Sequence, residues 1–380
     1  MTRGPLSSIR LIEICHVLAG PFCGMILADL GADVIKVEPP EGDMARNVTK
    51  QFTGPYNDYF SSLNRNKRSV VLDLATKDGQ AQLAAMVTDA HALITNMRPA
   101  TIRRFGLTYD DLKQHNDRLV CLALTGFGLD GPYADKPAYD YIVQALTGVM
   151  TLTGDPGMPP IKAGYSAVDN STGIMGAVGL LARLIEGKGG QVDVSMFDTM
   201  LAQLNYLASA YLNHGLAPVR RAGSAHPYMV PAQVFASRDG FVMLFVSTDK
   251  FWWRFCEVVG WRERADDPRY ATMDARMRHR DEIVAEVAEL MKTRTTAEWI
   301  EALSARDIVV SGVETLERAL EGDIVGSRDM IAVIPTPDGP LRMVGNPIRM
   351  PDHPPRYGLP PLLGEHNEEL LTPPPATVKK

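Results

Sequence analysis

The feature that most constrains this chain is an alternation of short apolar runs with helical segments, which extends over roughly the first 125 of its 380 residues. An apolar run at 9–14 is followed by a loop, a helix that begins near Pro21 and ends before Gly31, and a second apolar run at 34–37. Proline suits the first position of a helix because it has no N–H to leave unpaired, and glycine favours a helix end. This order predicts two parallel strands joined by a right-handed crossover.

The alternation continues beyond this first unit. Further strands are predicted at 69–72, 92–95 and 119–124, with helices between them at 77–89 and 109–115. Strands that alternate with helices are typical of an open α/β sheet in which the strands are parallel. We therefore predict an α/β fold whose large domain is built on a Rossmann-like parallel sheet.

The second half of the chain predicts more helix and then a smaller domain. A segment rich in Pro, Arg, Gly and Ser at 215–226 predicts a linker, and Asp249 is predicted to cap a helix. Helices that continue to about residue 305, together with one strand, predict a small α+β domain. The other predicted elements are a helix at 169–186, a strand at 191–194, one long helix at 195–213, a strand at 241–246, strands around a turn at 330–350, and a last short helix after 360–366.

Charge and composition exclude several classes of protein. The chain has 39 basic and 45 acidic residues, a net charge of −6, whereas proteins that work on duplex nucleic acid normally present a basic face. Its longest uncharged stretch, 199–219, is too polar for a membrane span, and its N-terminus lacks the apolar core of a signal peptide. We expect a cytoplasmic protein with no nucleic-acid or membrane partner. The four cysteines, which we expect to be reduced and buried, are Cys15, Cys23, Cys121 and Cys256.

Several common catalytic motifs are absent from the sequence. No GxGxxG follows the first predicted strand, which disfavours binding of a dinucleotide such as NAD. The sequence also has no GxxxxGK[ST] for a P-loop, no GxSxG for a nucleophile elbow and no HExxH for zinc. We therefore expect no metal site.

Polar and basic residues cluster near the ends of predicted strands. Residues 64–68 (NRNKR) come directly before a strand, Asn96-Met97-Arg98 come directly after one, and 135–140 form a third cluster. Residues beyond the carboxyl ends of parallel strands line the ligand crevice of an open sheet, and arginines there suit phosphate. The alternative interpretation is a set of solvated basic loops.

Asp169 precedes a largely apolar predicted helix. One interpretation makes it a helix N-cap. The other makes it a carboxylate nucleophile, which the positive end of the helix would keep ionised. Gly173, Gly176 and Gly179 recur on that helix, and close helix packing is the interpretation we prefer over room for a ligand.

These motifs, in this order, resemble the class III coenzyme A transferase (CaiB/BaiF) family, which also contains the α-methylacyl-CoA racemases. The resemblance covers nearly the whole chain. Two departures are Pro39, where relatives commonly have arginine, and 223–227, which lacks the glycine-rich lid of oxalate-specific relatives. The matching segments are HVLAGP at 16–21, LADLGADVIKVE at 27–38, GD at 42–43, NKRS at 66–69, NMRP at 96–99, GFG at 126–128, GP at 131–132, Asp169, GKGGQ at 187–191 and LGEH at 363–366.

The resemblance implies an architecture and a site. It implies a large domain at 1–215, a small inserted domain at 225–325, a return to the large domain at 330–380, and an interlocked homodimer. It implies Asp169 as the nucleophile, an acyl-CoA and a carboxylic acid as substrates, and no permanently bound cofactor. The CoA-contacting positions that it implies are Val17, Leu18, Ala19, Leu72, Asp73, Leu74, Ala75, Asn96, Met97, Arg98, Arg104, Lys136, Pro137, Ala138 and Tyr139.

The reaction that the resemblance implies is CoA transfer through an aspartyl anhydride and an aspartyl-CoA thioester. The donor that it suggests is a small dicarboxylyl-CoA such as succinyl-CoA. A first alternative is an acyl-CoA racemase on the same fold. Racemase relatives place histidine where this chain has Tyr139, and tyrosine is a poor base at neutral pH. A second alternative is a non-catalytic CoA-binding protein, which the presence of Asp169 disfavours.

Overall fold

The computed structural model describes residues 4–371, which form two compact units. The first unit contains 4–147, 164–205 and 323–371, and the second contains Gly148–Ala163 and Tyr206–Gly322. The domain boundaries implied by the family resemblance stay a prediction, and the Pro-rich end of the chain, 372–380, lies outside the described residues.

The described residues form short strands and helices throughout. The strands are β1 (Arg10–Ile14), β2 (Asp33–Glu38), β3 (Phe52–Thr53), β4 (Tyr56–Asn57), β5 (Arg68–Val71), β6 (Ala92–Thr95), β7 (Val120–Thr125), β8 (Gly190–Ser195), β9 (Ala232–Ala236), β10 (Phe241–Phe245), β11 (Val309–Gly312), β12 (Ile331–Ile334) and β13 (Leu341–Val344). The α-helices are α1 (Ala19–Asp29), α2 (Asp58–Asn64), α3 (Lys77–Val87), α4 (Pro99–Phe105), α5 (Tyr109–Leu112), α6 (Asp140–Leu146), α7 (Val149–Leu152), α8 (Ala167–Glu186), α9 (Met196–Gln203), α10 (Asn205–His214), α11 (Asp249–Val259), α12 (Arg262–Asp266), α13 (Met273–Arg278), α14 (Arg280–Met291), α15 (Thr296–Ser304), α16 (Leu316–Glu321), α17 (Asp323–Ser327) and α18 (Asn367–Leu370).

The first unit is organised around one parallel sheet of six strands in the order β5-β2-β1-β6-β7-β8. The inner strands are buried along nearly their whole length, as expected for a parallel sheet covered on both faces. Strand β1 lies in the middle of the sheet: β2 and then β5 follow on one side of it, and β6, β7 and β8 follow on the other side. This confirms the α/β fold and the Rossmann-like sheet that the alternation predicted.

Helix α8 packs closely against α1 and the sheet because its glycines leave no side chain in between. A Cβ atom on Gly173 would lie 2.8 Å from the carbonyl oxygen of Ala19, and one on Gly176 would lie 2.6 Å from Cδ2 of Leu124. Both distances are shorter than real Cβ contacts, so any larger residue would push the helix away from its neighbours. The close-packing interpretation of these glycines is confirmed.

The second unit is built on the antiparallel sheet β11-β10-β9, with helices packed on it. Its core is rich in large side chains, and Trp252, Phe255 and Trp299 are fully buried in it. Thr295 and Glu298 form a capping box at the start of α15. Within residues 4–371, no helix combines the length and the apolar character that crossing a bilayer requires.

Two predicted helix features were wrong. The single helix predicted at 195–213 is two helices, because Asn205 has a φ of 21° that interrupts the helical backbone. The cap of α11 is Thr248, whose hydroxyl accepts the N–H of Phe251 at 3.2 Å, and Asp249 is the first helical residue. All four cysteines are free and buried, as predicted.

Candidate active site

One cleft lies where three neighbouring strands of the large sheet end. The loops after β1, β6 and β7 all contribute to it, and the β1–β6 junction is the topological switch point where open α/β sheets bind ligands. We call it the Asp169 cleft. It is lined by His16, Val17, Leu18, Ala19, Asn96, Met97, Arg98, Pro99, Leu124, Thr125, Gly126, Ala134, Lys136, Ala138, Tyr139, Asp169 and Met196.

The cleft is small. Its volume is about 80 Å³, well below the roughly 300–1,000 Å³ of typical ligand pockets. It can therefore enclose the end of a long ligand, while the remainder of that ligand would extend along the protein surface.

The loop after β1 is held rigidly by side chains from other segments. The Asn96 side chain accepts the N–H of His16 at 2.9 Å and donates to the His16 carbonyl at 2.8 Å. Val17 has a φ of 64°, which is unfavourable for a β-branched residue, and its N–H donates to the Asp43 carboxylate at 3.1 Å. These contacts fix the backbone at the entrance to α1, because they outweigh the local strain.

Asp169 is the third residue of α8, so the N-cap interpretation was wrong. The helix begins at Ala167, and the residue before it, Ser166, makes no side-chain cap. Buried Asp140, the first residue of α6, performs that role: one carboxylate oxygen accepts the N–H of Val168 at 2.8 Å and that of Asp169 at 3.3 Å. The other oxygen of Asp140 accepts the side-chain amide of Gln144 at 2.6 Å. Two carboxyl groups therefore share one helix N-terminus.

This arrangement reverses the electrostatic effect expected from the helix. Burial, and then the negative charge of Asp140, raise the pKa of Asp169 to about 7 from its ordinary value of 3.8. The helix N-terminus favours the anion, but its effect is smaller than these two. Asp169 in turn acts on Tyr59 of α2, whose pKa is raised by burial and then by the charges of Asp169 and Asp43. Burial lowers the pKa of His16 in the same cleft.

The basic residues at or near the cleft differ in whether an acidic side chain already pairs with them. Arg98 and Lys136 are exposed, and Lys136 lies over the ring of Tyr133, with 4.2 Å from Nζ to the ring centroid. Arg103, which lies in the last turn of α4 and does not line the cleft, is instead paired with Asp135 at 2.6 Å. An anionic ligand at the mouth of the cleft would therefore meet Arg98 and Lys136.

The structure brings most of the predicted site residues together, but not all of them. Leu72 and Asp73 line a different cavity, with Thr76 and Asn367, and Leu74 is buried in the core. Ala75, Arg104 and Pro137 are exposed but line neither cavity. The predicted residues that share the cleft are Val17, Leu18, Ala19, Asn96, Met97, Arg98, Lys136, Ala138, Tyr139 and Asp169.

The basic segment 64–68 is not a solvated loop, because its cations are held in ion pairs. Lys67 is fully buried and pairs with Glu13 of β1 at 2.7 Å. Arg65 pairs with Asp29 at 2.7 Å, and Arg68 pairs with Asp33 at 2.5 Å. These cations hold α1 and the sheet to the segment before β5, so the interpretation of this segment as a solvated loop was wrong.

Asp140 and Tyr59 are site residues that the sequence reasoning did not single out. Asp140 stood at the end of the third polar cluster, but nothing in the spacing indicated that it reaches the start of α8, 28 residues later. Tyr59 lies on α2, which the periodicity did not reveal. Across residues 4–371, no three histidine, cysteine, aspartate or glutamate side chains come together as metal ligands would.

Comparison with known families gives a clear match. A sequence profile described as CoA-transferase family III matches residues 6–367 of the chain. The succinate–glutarate CoA-transferase of Agrobacterium fabrum is 37% identical, over 97% of this chain and 95% of the relative. The acetyl-CoA:oxalate CoA-transferase of Acetobacter aceti is 36% identical, over 92% of this chain and 90% of the relative.

A solved structure matches equally far along the chain. The crystal structure of a CAIB/BAIF family protein from Brucella suis superimposes with a TM-score of 0.85 and 32% identity. The match covers 97% of this chain and 100% of that protein. The similarity therefore extends through both compact units.

Proposed function

Because the chain belongs to the CoA-transferase family III, we propose that Asp169 is the residue on which its acyl and CoA groups are exchanged. The chain is a CoA-transferase, and its substrates are an acyl-CoA thioester and a carboxylic acid. This membership leaves no support for a non-catalytic CoA-binding protein, and both named relatives described above are transferases rather than racemases. The observation that supports the proposal most is a half-buried carboxyl group at the switch point of the sheet, with a pKa raised to about 7.

The proposed reaction has four steps. A carboxylate oxygen of Asp169 attacks the donor thioester carbonyl, the C–S bond breaks, and a mixed anhydride and CoA thiolate form. The thiolate attacks the Asp169 carbonyl, which releases the donor acid and leaves an aspartyl-CoA thioester. The acceptor carboxylate attacks that thioester, giving a second anhydride and the thiolate. The thiolate then attacks the acceptor's carbonyl, which forms the product acyl-CoA and regenerates the carboxylate.

The electrostatics of the cleft support this sequence of steps. A desolvated carboxylate beside Asp140 is poorly stabilised, which makes it a stronger nucleophile than a solvated one. Acylation removes the charge of Asp169, so each covalent intermediate is free of the repulsion from Asp140. The relief applies equally to the anhydrides and to the aspartyl thioester, which helps keep the intermediates close in free energy.

Other groups of the cleft have roles in the proposal. Arg98 and Lys136 would bind phosphate groups of CoA outside the narrow cleft, and this remote binding would hold the thiolate near the anhydride. Helix α1 begins at Ala19, and no side chain caps its first turn. Ala19 and the residue before it, Leu18, line the cleft. The backbone N–H groups of this first turn are the proposed donors to the oxyanion that forms at each attack.

The proposed substrate class is a small dicarboxylic acid and its CoA thioester. Both named relatives, by their names, act on dicarboxylic acids: succinate and glutarate in one case and oxalate in the other. The identity to the two is nearly equal, 37% and 36%, so the comparison favours the class and not one of its members.

The proposal includes a homodimer, as the family resemblance implies. Helix α10 exposes large apolar side chains, including Tyr211 at 57% and Leu212 at 79%. A second copy of the chain that covers them would remove this apolar surface from water. Light scattering on the purified protein measures the molar mass and tests this part directly.

The experiment for the proposed function separates chemistry from binding. Asp169→Asn should abolish exchange between succinyl-CoA and glutarate, read by mass spectrometry of the thioesters, because an amide oxygen cannot replace the carboxylate. Calorimetric titration with CoA should give a dissociation constant within about threefold of the wild-type value, because the phosphates bind elsewhere. Sustained turnover by the variant would overturn the proposal.

A further inference from the structure

A second cavity lies wholly within the second unit, between the segment 148–163 and residues 206–228. Its volume of about 620 Å³ lies within the range of small-molecule sites. Leu152 and Leu216 give it apolar walls, and Tyr206 and Tyr228 add aromatic rings that contact each other edge to face with centroids 6.0 Å apart. Such a wall suits a short hydrocarbon chain.

Two adjacent arginines at this cavity have opposite surroundings. The guanidinium of Arg220 donates to the carbonyls of Met150 at 2.6 Å and Thr151 at 3.0 Å, so its donors hold the segment that forms one wall. Arg221 lines the cavity, and its Nε is buried without a hydrogen-bond partner. Within the part of the chain that the structure describes, Arg221 forms no hydrogen bond or ion pair with any residue. This N–H group has lost its hydrogen bond to water on burial, and no protein acceptor replaces it.

The charge around Arg221 is positive. Arg280 lies close by, and burial and then the charge of Arg221 lower the pKa of Arg280. The N–H groups of Arg280 are already used by the carbonyls of His226 and Met229, which fix the loop that bears Tyr228. None of the described residues that line the cavity is an aspartate or a glutamate. A nearby carboxylate, that of Asp155, accepts the N–H of Gly223 at 2.8 Å. An anion would therefore find one unpartnered guanidinium Nε and no carboxylate among the lining residues.

We propose that this cavity binds the carboxylate of a short-chain organic acid, with Arg221 as its partner. Planar guanidinium and carboxylate groups match through two parallel N–H···O bonds. The hydrocarbon part of the acid packs against Tyr206, Tyr228 and the two leucines. A single unused arginine in an apolar wall suits a carboxylate better than a phosphate, which normally recruits several cations. The inference rests on the proposed function, because it supplies a site for the class of acid that the enzyme would use.

Titration calorimetry of glutarate into the full chain tests this inference. Arg221→Gln should weaken glutarate binding at least tenfold, because the carboxylate loses its charge-assisted donors. The matched control is Arg262→Gln, which removes the same charge from an exposed residue of the same unit and should change the affinity less than twofold. Equal affinities for Arg221→Gln and the wild type would overturn the inference.

Two further outcomes would also overturn it. If inorganic phosphate displaced glutarate at equal concentration in the wild type but not in Arg221→Gln, the cavity would be a phosphate site. If Arg221→Gln changed the molar mass by light scattering and left the glutarate affinity unchanged, Arg221 would belong to an interface between copies. Repeating the titration in Asp169→Asn separates this inference from the proposed function, because binding without acyl transfer needs no nucleophile.

Discussion

Two regions of the first unit contain ionisable groups in the same sheet and use them in opposite ways. In the buried charge cluster, formed by Glu13, Lys36, Asp43 and Lys67, every charge has an opposite partner within 3.2 Å. In the Asp169 cleft, Asp169 has a like-charged neighbour instead. Burial alone would lower the pKa of Lys36, but Glu13 and Asp43 raise it, whereas burial and Asp140 act on Asp169 in the same direction.

The difference teaches how burial can stabilise one site and activate another. A buried ion pair whose partners are both present resists change, because losing either partner leaves an isolated buried charge. A buried carboxyl beside another carboxyl is destabilised when ionised and gains stability on protonation or acylation. The first arrangement supports the loop through Asp43 and Val17, and the second is what a reactive group needs.

The largest expected effect comes from breaking the buried charge cluster. Lys67→Met should lower the free energy of unfolding by about 3–5 kcal/mol, because Glu13 stays buried without this partner. Urea denaturation measures the change. The matched control is Lys113→Met, which breaks an exposed pair with Asp110 and should leave the free energy of unfolding nearly unchanged, because solvent screens this pair. Similar effects for the two variants would show that burial does not distinguish them.

The next effect tests the cleft through stability. Because the folded-state pKa of Asp169 is raised to about 7, the wild type loses stability as pH rises from about 4 through 7, where the unfolded carboxyl is already ionised. Asp169→Asn has no such loss, so its advantage over the wild type should be larger at pH 8 than at pH 5, by on the order of 2 kcal/mol. Urea denaturation at both pH values measures it.

The control for this measurement is Asp352→Asn, an exposed carboxylate. It should change the free energy of unfolding by less than about 0.5 kcal/mol at both pH values. If the advantage of Asp169→Asn were the same at pH 5 and pH 8, the fold would not destabilise the ionised form of Asp169.

The smallest effect concerns the exposed cations of the cleft. Arg98→Gln should weaken CoA binding about five- to tenfold, roughly 1 kcal/mol, with no change in the melting temperature, because Arg98 is exposed at the carboxyl end of β6. Arg118→Gln is the control, since Arg118 is also exposed but precedes β7 at the opposite edge of the sheet. Titration calorimetry with CoA compares the two variants. Equal losses of CoA affinity would show that the coenzyme does not bind specifically at the carboxyl edge of the sheet.

The large sheet could be predicted because the spacing of apolar residues, and the proline, glycine and turn residues that separate the elements, are local features of a sequence. Apolar runs between Pro21, Gly31 and later turn residues locate the strands of the parallel sheet, and this part of the fold is confirmed. Strands β9 and β11 were both missed. Strand β11 pairs with β10, which lies far earlier in the chain, so no local pattern indicates the pairing. Strand β9 forms a hairpin with β10, the next strand in the chain, and was missed although the two are adjacent in sequence. The break at Asn205 was missed because one residue with an unusual φ leaves the apolar pattern intact.

The site was predictable only where it follows directly from strand ends. Asn96 and Arg98 come immediately after β6, so their place at the sheet edge follows from topology. The segment 64–68 has the same basic character but comes before a strand, and its side chains are buried in ion pairs. Asp140 beside Asp169 depends on how two helices pack, which no local pattern encodes. The cytoplasmic location stays a prediction of the sequence.

The central claim is that Asp169 becomes covalently acylated, and trapping with hydroxylamine tests it most directly. Hydroxylamine attacks an activated aspartyl carbonyl and leaves a hydroxamate, which peptide mass spectrometry locates. The account predicts this modification at Asp169 when protein, succinyl-CoA and hydroxylamine are mixed, and its absence when the thioester is omitted. An unmodified Asp169 in protein that still exchanges CoA between succinyl-CoA and glutarate would contradict the account.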